Sequence, residues 1–316
     1  MNAQSPNVSV IDPISPAIER AKLMLFRPFD IGKWFVVGFC AWLAYLGQGG
    51  GGGGGSNFNF RGGHRLREVE HELNAAKEFV VANLFWLAPL AITISLVILC
   101  IWLLFTWLSS RGHFMLLHCV AENKAEIKVP WGKFRRQANS LFAFRVVMCL
   151  ISLAVIGVPI LVGILALLPM ILAGGPAGLL LWIVMLVFAV IIAVVVLAIV
   201  NKFTMDFVVP IMFLRTTSCM AAWREFLRLL SENKVRFVLY ILFQIVIAIV
   251  IGTVIVATIC CTCCCACCIL TIPYIGTVLL LPIIIFDRSY SLYYLRQFGP
   301  EFDVFSTSVE LTRNLP

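Results

Sequence analysis

Charged side chains are scarce in this sequence. Asp, Glu, Lys and Arg together make up 13% of the 316 residues, whereas hydrophobic residues make up 61%. Soluble domains contain about 25% charged residues, because water must solvate their surfaces. This composition excludes a water-soluble globular fold and predicts an integral membrane protein.

Recognised catalytic motifs are missing as well. The chain has no G-x-S-x-G, H-E-x-x-H, paired-carboxylate or P-loop motif, so we expect no enzymatic activity and no cofactor. Its apolar segments also contain few ionisable groups, although pumps and transporters expose such groups along their pathways. Arg145, Lys202 and Asp206 lie near predicted cytoplasmic span ends, where we expect their side chains to snorkel.

Long apolar runs take the place of these features. A helix needs about 20 apolar residues to cross the hydrocarbon core, because its backbone amides must be satisfied within the segment. Six runs meet or approach this length: 34–47, 80–108, 146–172, 177–200, 237–259 and 269–286. The first run is short and forms either a span or a re-entrant or interfacial hairpin, which would leave five spans. We predict an all-α polytopic bundle of about six spans in one membrane domain, residues 34–286.

The positive residues predict the orientation. Lys and Arg concentrate before the first predicted span and in the second and fourth connections, whereas the third and fifth connections have none. Cytoplasmic loops carry the Lys and Arg excess in membrane proteins, so both termini, 1–33 and 287–316, are expected to be cytoplasmic. This topology accounts for the net charge of +8, and we expect no nucleic-acid partner.

A short motif recurs in the two large loops. Both loops contain Trp-x-x-Phe-x-Arg, at Trp131, Phe134 and Arg136 and at Trp223, Phe226 and Arg228. These residues are predicted contacts of interfacial amphipathic helices, and another such helix is predicted between Ser15-Pro16 and Arg27-Pro28. The recurrence reflects either an internal duplication or the composition of interfacial segments alone.

A cysteine-rich stretch lies between the fifth and sixth predicted spans. Residues 260–268 contain seven of the twelve cysteines. Cys261, Cys264 and Cys267 have the two-residue gaps found in zinc and iron–sulfur sites. Packing of small apolar thiols is the favoured interpretation, with disulfides and a metal site as alternatives.

A glycine-rich loop is predicted at 47–63. Its unbroken tract, 49–55, is expected to be a flexible hinge, because glycine disfavours helix. After the tract, His64, Glu68 and His71 fall close together on a predicted helix. They are candidate zinc ligands, and a solvated charged face explains them equally well.

Three segments carry a family resemblance: LFRPFDIGKWFVVGFCAWLAYLG at 25–47, DFVVPIMFLR through AAWREFLRLL at 206–230, and IPYIGTVLLLPIIIFDRSYSLYYLRQFGPEF at 272–302. In these segments the chain resembles uncharacterised bacterial six-span membrane proteins, which are similar to the membrane domain attached to some glycerophosphodiester phosphodiesterases. The phosphodiesterase domain is absent here, and the family supplies no catalytic residue. The resemblance implies a bacterial membrane domain that does not hydrolyse lipid.

Three functions are open on the sequence. The leading expectation is a non-enzymatic accessory or scaffold protein of the bacterial inner membrane. Its partners would be membrane lipids, with other envelope proteins or a second copy of the chain. The alternatives are a transporter or lipid-handling protein, whose apolar cavity Gln244 would face, and a redox or metal sensor built on the cysteines of 260–268.

Overall fold

A computed structural model describes residues 8–46, 83–172, 176–262, 270 and 272–305. The helices are α1 Ile14–Leu25, α2 Ile31–Tyr45, α3 Leu84–Glu122, α4 Lys128–Lys133, α5 Arg135–Leu172, α6 Pro176–Phe203, a π-helical turn Thr204–Val208, α7 Val209–Arg215, α8 Cys219–Glu232, α9 Lys234–Cys261, α10 Pro273–Leu279, α11 Leu281–Arg296 and a 3-10 turn Pro300–Phe302. All regular elements in these ranges are helical, which confirms the predicted all-α fold.

Four stretches of helix are long and apolar enough to cross a membrane: Phe85–Glu122, Arg135–Gly163, Trp182–Arg215 and Lys234–Cys261. The α2 helix is apolar but has only 15 residues. The segment expected as the last span is divided at Leu280 into α10 and α11. The chain is a helical membrane protein, as predicted, and the count of six spans stays a prediction.

Burial is concentrated at one end of the helices. We name this end the packed base; it comprises α1, α2, α4, α7, α8 and α11 with the adjoining ends of α3, α5, α6 and α9. The rest of the four long helices forms the apolar half, where at most 11% of the residues in each most hydrophobic window are buried. Such an exposed apolar surface suits the hydrocarbon of a bilayer, because water would strongly disfavour it.

Aromatic side chains fill the centre of the packed base. Phe207 stacks on Phe226 with ring centroids 5.3 Å apart, and Phe237 and Tyr240 contact Phe207 edge-on at 5.2 and 4.9 Å. All four side chains are fully buried. Such stacked and edge-on pairs contribute about 0.5–1.5 kcal/mol each beyond area burial, so the base is held together like the core of a soluble domain.

The two ends of the described chain meet in the base. The Ser9 amide donates to Gln297 Oε1 at 2.7 Å, and Gln297 Nε2 donates back to the Ser9 carbonyl at 2.9 Å. In α1, the Arg20 guanidinium donates to the carbonyls of Val120 and Ala121, at the C-terminal end of α3. A cation stabilises the partial negative charge of a helix C-terminus, so Arg20 fastens α1 to α3.

A glycine sets the distance between α2 and α3. A Cβ atom at Gly112 would overlap the backbone nitrogen of Ala44 and lie 2.5 Å from the carbonyl carbon of Leu43. Beside it, the Ser109 hydroxyl donates to the Ala44 carbonyl. The two backbones therefore touch at a position where only glycine leaves enough room.

A π-helical turn joins α6 to α7. The side chains of its residues, Thr204–Val208, are all buried, and the turn carries one acidic residue, Asp206. Such turns add one residue to a helix and are frequent at functional sites. The turn lies at the boundary between the apolar half and the packed base.

Candidate functional site

A cavity of about 700 Å³ lies between α6 and α9 of the apolar half and the first turns of α11. Its walls are Val195, Ala198, Ile199, Ile241, Ile245, Ile247, Ala248, Ile251, Gly252, Ile255, Leu280, Ile283 and Ile284. The side chain of Ile245, one of these wall residues, is 51% exposed, so the cavity opens sideways toward lipid. On α9 its lining runs from Tyr240 to Ile255, about 22 Å at 1.5 Å per residue. We name this cavity the lateral groove.

The end of the groove nearest the base is polar. Lys202 Nζ lies 3.1 Å from Asp206 Oδ2 and 3.6 Å from Asp287 Oδ2. The Tyr240 hydroxyl donates to Asp206 Oδ2 at 2.9 Å, and Gln244 Nε2 donates to the Tyr240 oxygen at 3.0 Å. We name these five residues the charged floor.

Burial differs among the ionised groups of this region. The Asp206 side chain is 7% exposed, whereas those of Lys202 and Asp287 are 38% and 31% exposed and line the groove. Arg288 is buried and donates through Nη1 to the Met205 carbonyl. The positive charges of Lys202 and Arg288 therefore balance the carboxylates of Asp206 and Asp287. Such balance is expected because an unpaired charge in hydrocarbon is costly. A molecule in the groove is not required to supply a net charge.

Local helix geometry assembles the floor from two pairs of residues. Lys202, near the end of α6, and Asp206, in the π-helical turn, are four residues apart and form an ion pair. Tyr240 and Gln244 are four residues apart on α9, and this spacing places their side chains on one face. The sequence indicated Gln244 as a polar interruption and Lys202 and Asp206 as snorkelling groups. It gave no signal for Asp287, which reaches the floor only through the tertiary contact of α11.

The predicted interfacial contacts lie in or on the packed base. Phe134 and Phe226 are buried, and each stacks on a phenylalanine of the 204–215 region, Phe213 at 4.7 Å and Phe207 at 5.3 Å. The other members of the motif are half-buried or exposed: Trp131 and Trp223, and Arg136 and Arg228. Their role as interfacial contacts stays a prediction.

Most predicted metal ligands fall outside the described residues. This holds for His64, Glu68, His71, Cys264 and Cys267, and for the glycine-rich loop 47–63. Cys261 is described and lies exposed at the last residue of α9. Within the described ranges, no group of three or more His, Cys, Asp or Glu residues could hold a metal ion. The metal site stays a prediction.

Comparison with known proteins gives one family. A family model described as "Family of unknown function (DUF7544)" matches residues 8–281. No curated protein and no solved structure matches the chain. The expectation of an uncharacterised family is confirmed, whereas a relation to phosphodiesterase membrane domains and a bacterial origin stay predictions.

Proposed function

The chain belongs to this family of unknown function, DUF7544, and from its lateral groove we propose that it binds a membrane lipid. The acyl chain would lie along the apolar walls and the polar head would contact the charged floor. The observation that carries this proposal is the junction of the two surfaces, since Lys202 and Asp287 line the same cavity as Ile251 and Ile255.

The charged floor supplies the selectivity in this proposal. Apolar walls gain little by exchanging one hydrocarbon neighbour for another, because lipid tails are as apolar as leucine. Lys202 offers N–H donors and Asp287 offers acceptors, and both are partly exposed. A lipid whose head group hydrogen-bonds to them is bound at one position, whereas a lipid without such bonds is not retained in the groove. The groove volume lies within the range of about 300–1,000 Å³ typical of ligand sites.

Lipid binding is better supported than the accessory or scaffold role. The amphipathic helix α8, expected to be a contact surface, buries Cys219, Ala222 and Phe226 within its own chain. These three residues already help to build the base, whereas Leu227 on the same helix is 52% exposed. Absence of enzymatic activity and binding of envelope partners stay predictions from the sequence.

We also propose that the packed base lies on the cytoplasmic side of a bacterial inner membrane. The contact between Ser9 and Gln297 places the two described chain ends together. The base also contains α4 and α8, in the loops where Lys and Arg are enriched. Positive loops mark the cytoplasmic side, which supports this orientation. Labelling of single cysteines by a membrane-impermeant reagent, applied to cells and to inverted vesicles, tests it.

The substitution Gly252→Trp tests lipid binding. A Cβ at Gly252 meets nothing within 4 Å, so an indole enters the groove without displacing backbone. We expect the purified variant to lose most of the lipid that accompanies the wild-type protein, as counted by native mass spectrometry. The matched control is Val250→Trp, because Val250 is on the same helix, is 57% exposed and does not line the groove. Equal lipid retention by both variants and the wild type would refute the proposal.

A further inference from the structure

A second cavity lies on the opposite face of α6, between α3, α5 and α6. Its volume is about 250 Å³, and Arg145, Asn201, Thr204 and Trp102 are among the residues that line it. On α6 the groove is lined by Val195, Ala198, Ile199 and Lys202, whereas the second cavity is lined by Leu197, Val200 and Asn201. At about 100° per residue, the centres of these two sets lie on nearly opposite sides of the helix. The second cavity is therefore separate from the lateral groove.

Arg145 points into the protein instead of snorkelling to water. Its Nη1 donates to Ser109 Oγ at 3.0 Å, and Ser109 is 1% exposed. Within the described part of the chain, the ion pairs involve other cations, and Arg145 forms none. Lys202, which follows the cavity-lining residue Asn201 in sequence, contacts two carboxylates. Arg145 thus has a neutral hydroxyl where Lys202 has two anions.

The rest of the cavity adds a donor and no negative charge. Asn201 is exposed, and its side chain makes no hydrogen bond to the described residues. The hydroxyls of Thr106, Ser152 and Thr204 donate to carbonyls of their own helices at 2.7–2.9 Å. An uncompensated cation at this depth is costly, and a guanidinium matches the two oxygens of a phosphate. The lining therefore offers donors from Arg145 and Asn201 and no carboxylate, which favours an anionic ligand.

The position of the cavity indicates where that anion comes from. Its neighbours Ile101, Val147 and Val194 have exposed apolar side chains, so the surface beside it suits lipid tails. Trp102 lines it, and tryptophan is enriched where head groups meet hydrocarbon. We propose that Arg145 binds the phosphate of an anionic membrane lipid, with Asn201 as a second donor. The lipid tails lie against α3 and α5, outside the cavity.

Full-length protein in nanodiscs tests this site. The discs contain phosphatidylcholine with a minor share of phosphatidylglycerol, and native mass spectrometry counts each lipid that the released protein retains. Wild-type protein should retain phosphatidylglycerol in preference to phosphatidylcholine. The variant Arg145→Gln should lower this preference about tenfold, because it removes a charge-assisted hydrogen bond. Arg145→Lys, which keeps the charge, should lower it less.

Two controls make the result specific. Arg224→Gln removes an equal charge from an exposed position without an ion pair among the described residues, and should leave the preference unchanged. Arg145→Gln should lower the preference to the same extent when Gly252→Trp is also present, which separates this site from the lateral groove. The proposal is overturned if wild-type protein shows no preference, or if Arg145→Gln keeps it while remaining monodisperse. It is also overturned if inorganic phosphate binds wild-type protein but not Arg145→Gln in discs of phosphatidylcholine alone, and binds equally well when the discs contain phosphatidylglycerol, because the anion is then a soluble one.

Discussion

The packed base and the apolar half use the same residue types in opposite ways. Phe226 in the base is fully buried among aromatic rings, whereas Phe188 in the apolar half is 61% exposed to the bilayer. Removal from water drives burial in the base, but neighbouring helices in hydrocarbon gain little from apolar contact alone. We infer that the base stabilises the fold, and that the apolar half leaves gaps between helices where lipids bind.

The largest effect is expected from adding one methyl group where α2 and α3 touch. Gly112→Ala should lower the free energy of unfolding by about 3 kcal/mol or more, because the new atom meets backbone that cannot rotate away. Titration with denaturing detergent measures this change. Gly157→Ala in the apolar half is the control, since its Cβ meets only Leu153 at 3.8 Å. Similar losses at both glycines would break the contrast between the two regions.

Removing a buried ring should have an effect of similar size. Phe226→Ala leaves a cavity among Phe207, Phe237 and Trp223 and should destabilise the base by about 3–5 kcal/mol. The loss is smaller if neighbouring side chains move to fill part of this cavity. Phe188→Ala removes the same atoms from a side chain that faces lipid. We expect its unfolding free energy to stay within about 1 kcal/mol of wild type. A large loss at Phe188 would mean that the apolar half is packed by a partner.

A smaller effect is expected at the boundary between the regions. Asp206→Asn removes one carboxylate from Lys202 and weakens the acceptor of the Tyr240 hydroxyl. Lys202 keeps Asp287 at 3.6 Å and is partly exposed, so we expect a loss of about 1–3 kcal/mol, below the value for a fully buried pair. The same detergent titration measures it. No loss would indicate that the floor ion pairs contribute to ligand contact alone.

The smallest effect is expected at the surface of the base. Arg228 and Glu232 lie 3.7 Å apart, with side chains 86% and 61% exposed. Glu232→Gln should change the unfolding free energy by less than about 0.5 kcal/mol, because solvent screens an exposed pair. The comparison with Asp206→Asn is direct, since both variants replace a carboxylate by its amide. Equal effects would contradict the burial difference between the two sites.

The sequence predicted the fold class because composition alone excludes water-facing surfaces. Local signals also placed the first helix to within a few residues: Ser15-Pro16 and Arg27-Pro28 predict its two ends, and the structure has Ile14–Leu25. Hydropathy could not separate protein-facing from lipid-facing residues, since a phenylalanine counts the same in both places. For this reason the packed base was not predicted, although Phe134 and Phe226 stand at its centre.

The candidate site was predictable only in part. Gln244 was recognised as a possible cavity residue, and it is buried at the floor of the groove. The ion pair between Lys202 and Asp287 joins distant parts of the chain, and no spacing rule links them. Tyr290 and Tyr294 lie in the segment expected as a cytoplasmic tail, yet both are fully buried in the base. Their burial depends on tertiary packing against Tyr240.

The π-helical turn divides one continuous helix into two parts whose side-chain faces are rotated relative to each other about the helix axis. Each residue advances an α-helix by about 100°, so one inserted residue rotates everything beyond it by that angle. Side chains before Thr204 present one face to each cavity, while those after Val208 face the aromatic core. Deleting a single residue from 204–208 would leave the sequences of α6 and α7 unchanged but would rotate α7 relative to α6 by about 100°. The angular offset, and not the residues alone, aligns the lipid-facing half with the base.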